Sequence, residues 1–384
     1  MNTTCNLQES EIRNLAKTNP VVMELELFSK GLRIDGSVRL EGKRSPLRLR
    51  AGLGSGLEAM IHGIDDWRGD YITVNIPIHG AFVKDSPYLL VQEEERYFVT
   101  ANGEKIRQIF LFPLPKFYNE KTSDGILMSR IGCIFGNVGS MMLKGCQFWD
   151  MEGDMKCGFC ATGLYRGDTE EPEKTIRQVV EVCKKMVFEE KVDSLHFNTG
   201  FRKGKAIEEI IPFVEAVHRE TGAYICVQCP PEDDFSLYEK LYEAGARHVS
   251  FCFEIFNLEH FRSVCPGKSK YIKHDRFFEA IRHCVGIFPD VAGELVMGLE
   301  PVRNTLDGIE KVTGLGAWPT VTVFRPLPGT RMGEMRPPST RELIPVVKRM
   351  YTSCMEKGVP LEQLPQIRES LSPLPMDGKY LLDF

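Results

Sequence analysis

The stretch GCQFWDMEGDMKCGFCATG, residues 145–163, carries three cysteines, Cys146, Cys157 and Cys160, the last two forming a CxxC with Phe159 between them. Three thiolates fill three corners of a four-cornered metal centre, so a site built here keeps one coordination position open for chemistry. The apolar run SMMLKG (140–145) directly precedes Cys146 and reads as a strand. The cysteines then occupy the loop at a strand's carboxyl end, where βα architectures place functional groups.

Downstream, helical patterns alternate with short β-branched runs, the signature of βα units around a parallel sheet. The helix expected over 173–189 puts Ile176, Val179, Val180, Cys183, Met186 and Val187 on one face, and the strand DSLHFNTG (193–200) follows. Next come a helix near 206–220, the strand AYICVQC (223–229), a helix at 234–244 and the strand RHVSFCFEIF (247–256). A helix at 275–287, the strand ELVMGL (294–299), a helix from about 305 and the strand TVTVF (320–324) complete six βα units. Six parallel strands do not close an eight-stranded barrel, so the expected fold is α/β, a partial (βα)6 TIM-like barrel over 139–335. A C-terminal helix and tail over 336–384 follows, its start marked by a capping box at Ser339 and Glu342.

Residues 1–138 read as a β-rich N-terminal extension. VVMELELF (21–28), GLRIDGSVRL, DYITVNIP, RYFVT and IRQIFLF are short alternating runs broken by Gly, Asp and Asn turns. The polar start containing Cys5 reads as disordered.

With these elements in order, the chain resembles the radical SAM superfamily, as a divergent member near biotin and lipoyl synthases. The usual family motif is Cys-x3-Cys-x2-Cys with an aromatic before the last cysteine; here the first gap is ten residues, and the CGFC half is kept. The resemblance implies a [4Fe-4S] cluster on Cys146, Cys157 and Cys160 with S-adenosylmethionine (SAM) at the open iron. Cys133 is a possible substitute for Cys146, and the insertion QFWDMEGDMK becomes a loop near the site. It further implies SAM contacts at Phe159, at the NTGF turn (Asn198, Thr199, Gly200), at Glu254, and at Gly298 and Glu300 of GLEP. FRPLPGT (324–330) resembles the sixth-strand segment of the biotin synthase branch.

The implied activity is reductive cleavage of SAM to a 5′-deoxyadenosyl radical that abstracts hydrogen from a small biosynthetic substrate. Sulfur insertion is the specific expectation, with an auxiliary iron-sulfur cluster drawn from Cys226, Cys229, Cys252 and Cys265; these four read equally as small side chains filling a barrel core. Alternatives are a single-cluster isomerase, dehydrogenase or fragmentation enzyme, and a non-catalytic iron-sulfur or zinc scaffold. RNA methylation is a third enzymatic idea, since CATG resembles the ribosomal RNA methyltransferase branch. A reducing partner such as flavodoxin or ferredoxin is implied.

Composition narrows the partners. The 384 residues carry a net charge of -5 with 12 cysteines. That balance gives no basic footprint for nucleic acid or anionic membrane. The chain starts without an apolar signal region and has no apolar run of about 18 residues, so a cytoplasmic protein with reduced thiols is expected. Lys268, Lys270 and Lys273 read as a solvated loop, with anion binding as the alternative.

Overall fold

The computed structural model describes residues 4–44, 56–62, 71–361 and 369–384. Two sheets organise them. The N-terminal sheet holds β1 (Arg33–Ile34), β2 (Gly56–His62), β3 (Tyr71–Pro77), β4 (Tyr88–Glu93), β5 (Arg96–Ala101) and β6 (Glu104–Leu111), in the order β1-β4-β5-β6-β2-β3. The second sheet holds β7 (Cys133–Phe135), β8 (Val138–Lys144), β9 (Ser194–Thr199), β10 (Ile225–Gln228), β11 (Ala246–Glu254), β12 (Asp290–Met297) and β13 (Trp318–Val323).

Strands β8 to β13 lie side by side in chain order, each parallel to the next. That is the expected run of six. β7 adds an antiparallel hairpin on the β8 edge, so β7 and β13 are the two ends of the curled sheet and the barrel stays open between them. Helices Ile176–Lys184, Ala206–Thr221, Ser236–Glu243, His274–Cys284 and Val302–Thr313 connect the strands, and Thr340–Lys357 follows β13. Local chemistry fixes their ends. Thr175 and Gln178 form a capping box on the first, Ser339 and Glu342 on the last, each satisfying amide groups that a helix start leaves orphaned.

Inside the barrel, the strands' alternation stacks side chains in layers. Register aligns His196, Cys226 and His248 across β9, β10 and β11, and one layer up Asn198, Gln228 and Ser250. Cys252 on β11 stands opposite Glu294 on β12, which stands opposite Thr320 on β13.

Three expectations are corrected. VVMELELF is helical, inside Pro20–Lys30, because Asn19 caps it through Val21 and Val22 amides and Pro20 is preorganised for the first helical position. Both faces are buried, so its hydrophobicity carries no clear period of its own. Cys5 is held in place as well: it exchanges hydrogen bonds with Arg341, its amide to the Arg341 carbonyl at 2.9 Å. Finally, helices Leu258–Val264 and Pro266–Tyr271 after β11 are too short to show a period, and the sequence reading passes over them.

The N-terminal sheet bridges the open side of the barrel. Glu58 on β2 accepts the Gly136 amide at the β7–β8 turn at 2.7 Å. Asn75 on β3 accepts Arg325, just beyond β13, on both its side-chain and backbone oxygens at 2.8 and 2.7 Å. The C-terminal tail enters the same junction, where Ser370 donates to Glu58 and its carbonyl accepts the Asn75 amide at 2.7 Å.

Candidate active site

The cysteine loop is clamped from three sides at the carboxyl mouth of the barrel. The Gln147 amide bonds the Phe201 carbonyl at 3.0 Å, and Phe148 stacks on Phe201 with ring centroids 4.3 Å apart. The Gly158 amide reaches the Val264 carbonyl at 2.8 Å, while its own carbonyl accepts the Met332 amide at 3.1 Å. The insertion 147–156 is therefore anchored at its start, with Phe148 buried and Trp149 on the wall of the barrel cavity, while Asp150, Glu152, Gly153 and Asp154 are exposed.

Cys146, Cys157 and Cys160 line one cavity together with Phe159, Asn198, Thr199, Gly200, Cys229, Cys252 and Glu254. Burial pushes the Cys146 thiol up to about 12. A hydrogen bond with Cys265, reinforced by burial, holds Cys157 well above its ordinary value, and burial raises Cys160. A metal centre held here would displace thiol protons.

At the mouth, Glu254 adopts a left-handed φ of 68° where the β11–β12 register slips between Cys252 and Glu254. Such bulges re-aim a side chain at a site rim. Its carboxylate meets Lys268 at 2.6 Å. Lys268 is mostly buried rather than a solvated loop residue, because the helix Pro266–Tyr271 folds back over the mouth. Burial opposes its charge, but Glu254 and the surrounding thiols prevail and raise its pKa well above the ordinary value.

Below this mouth a second cavity shares Met142, Cys146, Thr162, Asn198, Gln228, Glu294 and Thr322 with the first, and continues down to His196, His248 and Glu369. Gln228 donates to Glu294 at 2.7 Å, and the Cys252 thiol donates to the same oxygen at 3.1 Å. Glu369 comes from the C-terminal tail, its Oε2 lying 3.9 Å from His196 Nδ1. Nothing in the local sequence marks Glu369 as a barrel residue, and Glu294 and His248 show only the alternation of their strands.

Other expected residues lie elsewhere. Glu300 accepts the Phe256 and Asn257 amides at 3.0 and 2.8 Å, supporting the turn after β11. It and Gly298 line neither cavity. Gly298, with φ 104°, packs against Pro338. Cys226, Cys229, Cys252 and Cys265 are not gathered together. Cys226 packs low in the barrel near Ala292, Trp318 and Cys354, Cys252 pairs with Glu294, and Cys265 backs Cys157. Cys133 is buried in β7 and lines neither cavity.

Among the described residues, no group of three or more His, Cys, Asp or Glu is gathered to hold a metal ion. Cys146, Cys157 and Cys160 line one cavity, so a cluster held by these three thiolates would keep its fourth corner open toward that space. The fold and site together define an open (βα)6 barrel with a three-cysteine loop at its carboxyl mouth.

No family model matches the chain. The chain is similar to the bacteriochlorophyllide c C-7(1)-hydroxylase of Chlorobaculum limnaeum, 33% identical over 124 residues, which are 32% of this chain and 31% of that protein. The aligned stretch thus spans about a third of that relative's length. Among solved structures, methylornithine synthase (PylB) covers 57% of this chain and 64% of its own, at TM-score 0.44 and 20% identity. A radical SAM methyltransferase from Sphaerobacter thermophilus covers 71% and 76%, at TM-score 0.43 and 15% identity. Coproporphyrinogen III oxidase (HemN) from Escherichia coli, a radical SAM enzyme, covers 60% and 55%, at TM-score 0.39 and 14% identity. Among the described residues no helix is long and apolar enough to cross a membrane.

Proposed function

We propose that this protein is a radical SAM enzyme, with a [4Fe-4S] cluster on Cys146, Cys157 and Cys160 and an organic substrate in the barrel below. The observation that carries this reading is the set of three half-buried cysteines on the wall of a cavity that runs on into the barrel. When bound, the cluster supplies one electron to SAM, whose cleavage gives a 5′-deoxyadenosyl radical able to take hydrogen from an unactivated carbon.

The chain's own residues bind, orient and enclose. The upper cavity takes SAM between Phe159, the 198–200 turn and Glu254, with Lys268 holding Glu254 in place. Phe148, Phe201 and Tyr271 form an aromatic group over the mouth that keeps water from a reactive radical. The Gln228–Glu294–Cys252 bonds fix the floor between the SAM and substrate chambers.

A single-cluster reaction suits this barrel better than sulfur insertion, because the four interior cysteines stand apart. The stretch shared with a hydroxylase supports oxidation at a C–H carbon as the outcome. Flavodoxin or ferredoxin would supply the electron, in the cytoplasm, with no nucleic acid partner.

Anaerobic reconstitution tests the proposal. The expected result is a brown protein with about four irons per chain that cleaves SAM to 5′-deoxyadenosine on reduction, and a Cys157→Ala variant that does not. A colourless, zinc-loaded protein that leaves SAM intact would refute it.

A further inference from the structure

We infer that the lower barrel chamber binds the ammonium group of an amine-bearing substrate between Glu294 and Glu369, beside the unpartnered ring nitrogens of His196 and His248. This rests on the reading of the barrel as the substrate chamber.

The charge balance of the chamber carries the argument. Glu294 and Glu369 both face it, one from β12 and one from the C-terminal tail. The cations on the same walls are already matched by their own acids: Arg166 with Asp150 at 3.0 Å, and Lys174 with Glu170 at 2.6 Å. In the adjoining cavity Lys268 is matched by Glu254, and Arg325 is held by Asn75. Glu294 and Glu369 therefore share one chamber with no cation set between them among the described residues. Burial, with Glu294's charge added, pushes Glu369 up to about 8, the response of an acid lacking a positive partner. A bound ammonium reverses that and drives the Glu369 proton off.

The histidines are an independent sign of a missing ligand. His248 is only 3% exposed, yet its Nδ1 has no hydrogen-bond partner among the described residues, and neither has Nε2 of His196. A buried polar atom without a partner is costly and calls for an explanation, which a bound donor would supply. Burial holds both rings neutral near pH 7, His196 at about 4 and His248 at about 3. A neutral imidazole retains an acceptor nitrogen, and an ammonium brings three donors. Both bonds to Glu294 fall on Oε2, so Oε1 is available to the ligand. A carboxylate ligand would instead meet the charge of Glu294 that already raises Glu369, with no cation to offset it. An inorganic cation fits less well, since among the described residues no three such side chains are gathered for one.

Calorimetry on the cluster-loaded protein with SAM, using n-butylammonium, butyrate and 1-butanol as probes, tests this. Expected are n-butylammonium binding about tenfold or more tighter than butanol, undetectable butyrate binding, and release of about one proton per ligand at neutral pH. Glu369→Gln and Glu294→Gln should each weaken amine binding about tenfold or more, with thermal melts confirming that each variant is folded. Butyrate binding as well as the amine, or amine affinity unchanged in both variants, overturns the inference. SAM cleavage measured on the same samples separates the two readings. Cleavage without amine binding sinks only the amine assignment, while amine binding without cleavage sinks only the radical chemistry.

Discussion

A Cβ added to Gly200 would lie 2.3 Å from the Cys146 Cβ and 2.4 Å from its Cα, so the 198–201 turn presses its backbone directly onto the first cysteine of the proposed cluster site. Neither side is a flexible tip that can swing away. Gly200→Ala is therefore expected to push the cysteine loop off the turn, costing about 1–3 kcal/mol by overpacking. Iron content after reconstitution should fall with it. Full iron loading at wild-type stability would show that the turn does not position Cys146. The reason for this glycine differs from the one the family resemblance supplies, which concerns SAM; the close approach is visible only when the two loops are juxtaposed. The three cysteines were legible in the sequence because their spacing and the preceding strand are local signals. Lys268 was not, since a lysine is usually exposed and only the fold-back of Pro266–Tyr271 buries it against Glu254.

The six parallel strands were legible as elements because each is a short β-branched run between helices of clear period, and chain order sets their neighbours. The helix Pro20–Lys30 was misread for a physical reason. Alternation of Glu24 and Glu26 with apolar residues imitates a half-exposed strand, yet both glutamates are buried. Glu26 accepts the hydroxyls of Tyr88 and Thr340 and pairs with Lys30 at 2.9 Å, so its helix ties the N-terminal sheet to the C-terminal helix. Glu26→Ala leaves both hydroxyls and the ammonium without their acceptor, and is expected to cost about 3 kcal/mol or more. A urea midpoint within the error expected of a surface substitution, about 0.5 kcal/mol, would return this segment to the strand reading.

At the scale of the molecule, the tail is the piece that the sequence could not place. Residues 369–375 lack periodicity, and what fixes them is distant: Glu58 on β2 and Asn75 on β3 receive Ser370, and Glu58 is itself buried and also holds Gly136. The tail thereby closes the open side of the barrel and carries Glu369 inside. The consequence appears in stability against pH. Glu369 is raised to about 8 in the folded chain, from 4.5, so between those values the folded state holds a proton that the unfolded state has lost. Stability then falls as pH rises toward 8. His196 and His248, lowered to about 4 and about 3, act in the opposite sense: they take up protons on unfolding and erode stability as pH falls below about 6.5. Both proteins carry the two histidines, so their contribution cancels in the comparison and the Glu369 contribution stands apart from theirs. Gln mimics the protonated acid in shape and charge. Glu369→Gln should therefore gain on the wild type as pH rises from 6.5 to 8, by on the order of 2 kcal/mol across that window. Denaturant midpoints of both proteins across that range measure it. Parallel pH profiles would mean that Glu369 is ionised in solution and that the tail does not carry it into the barrel.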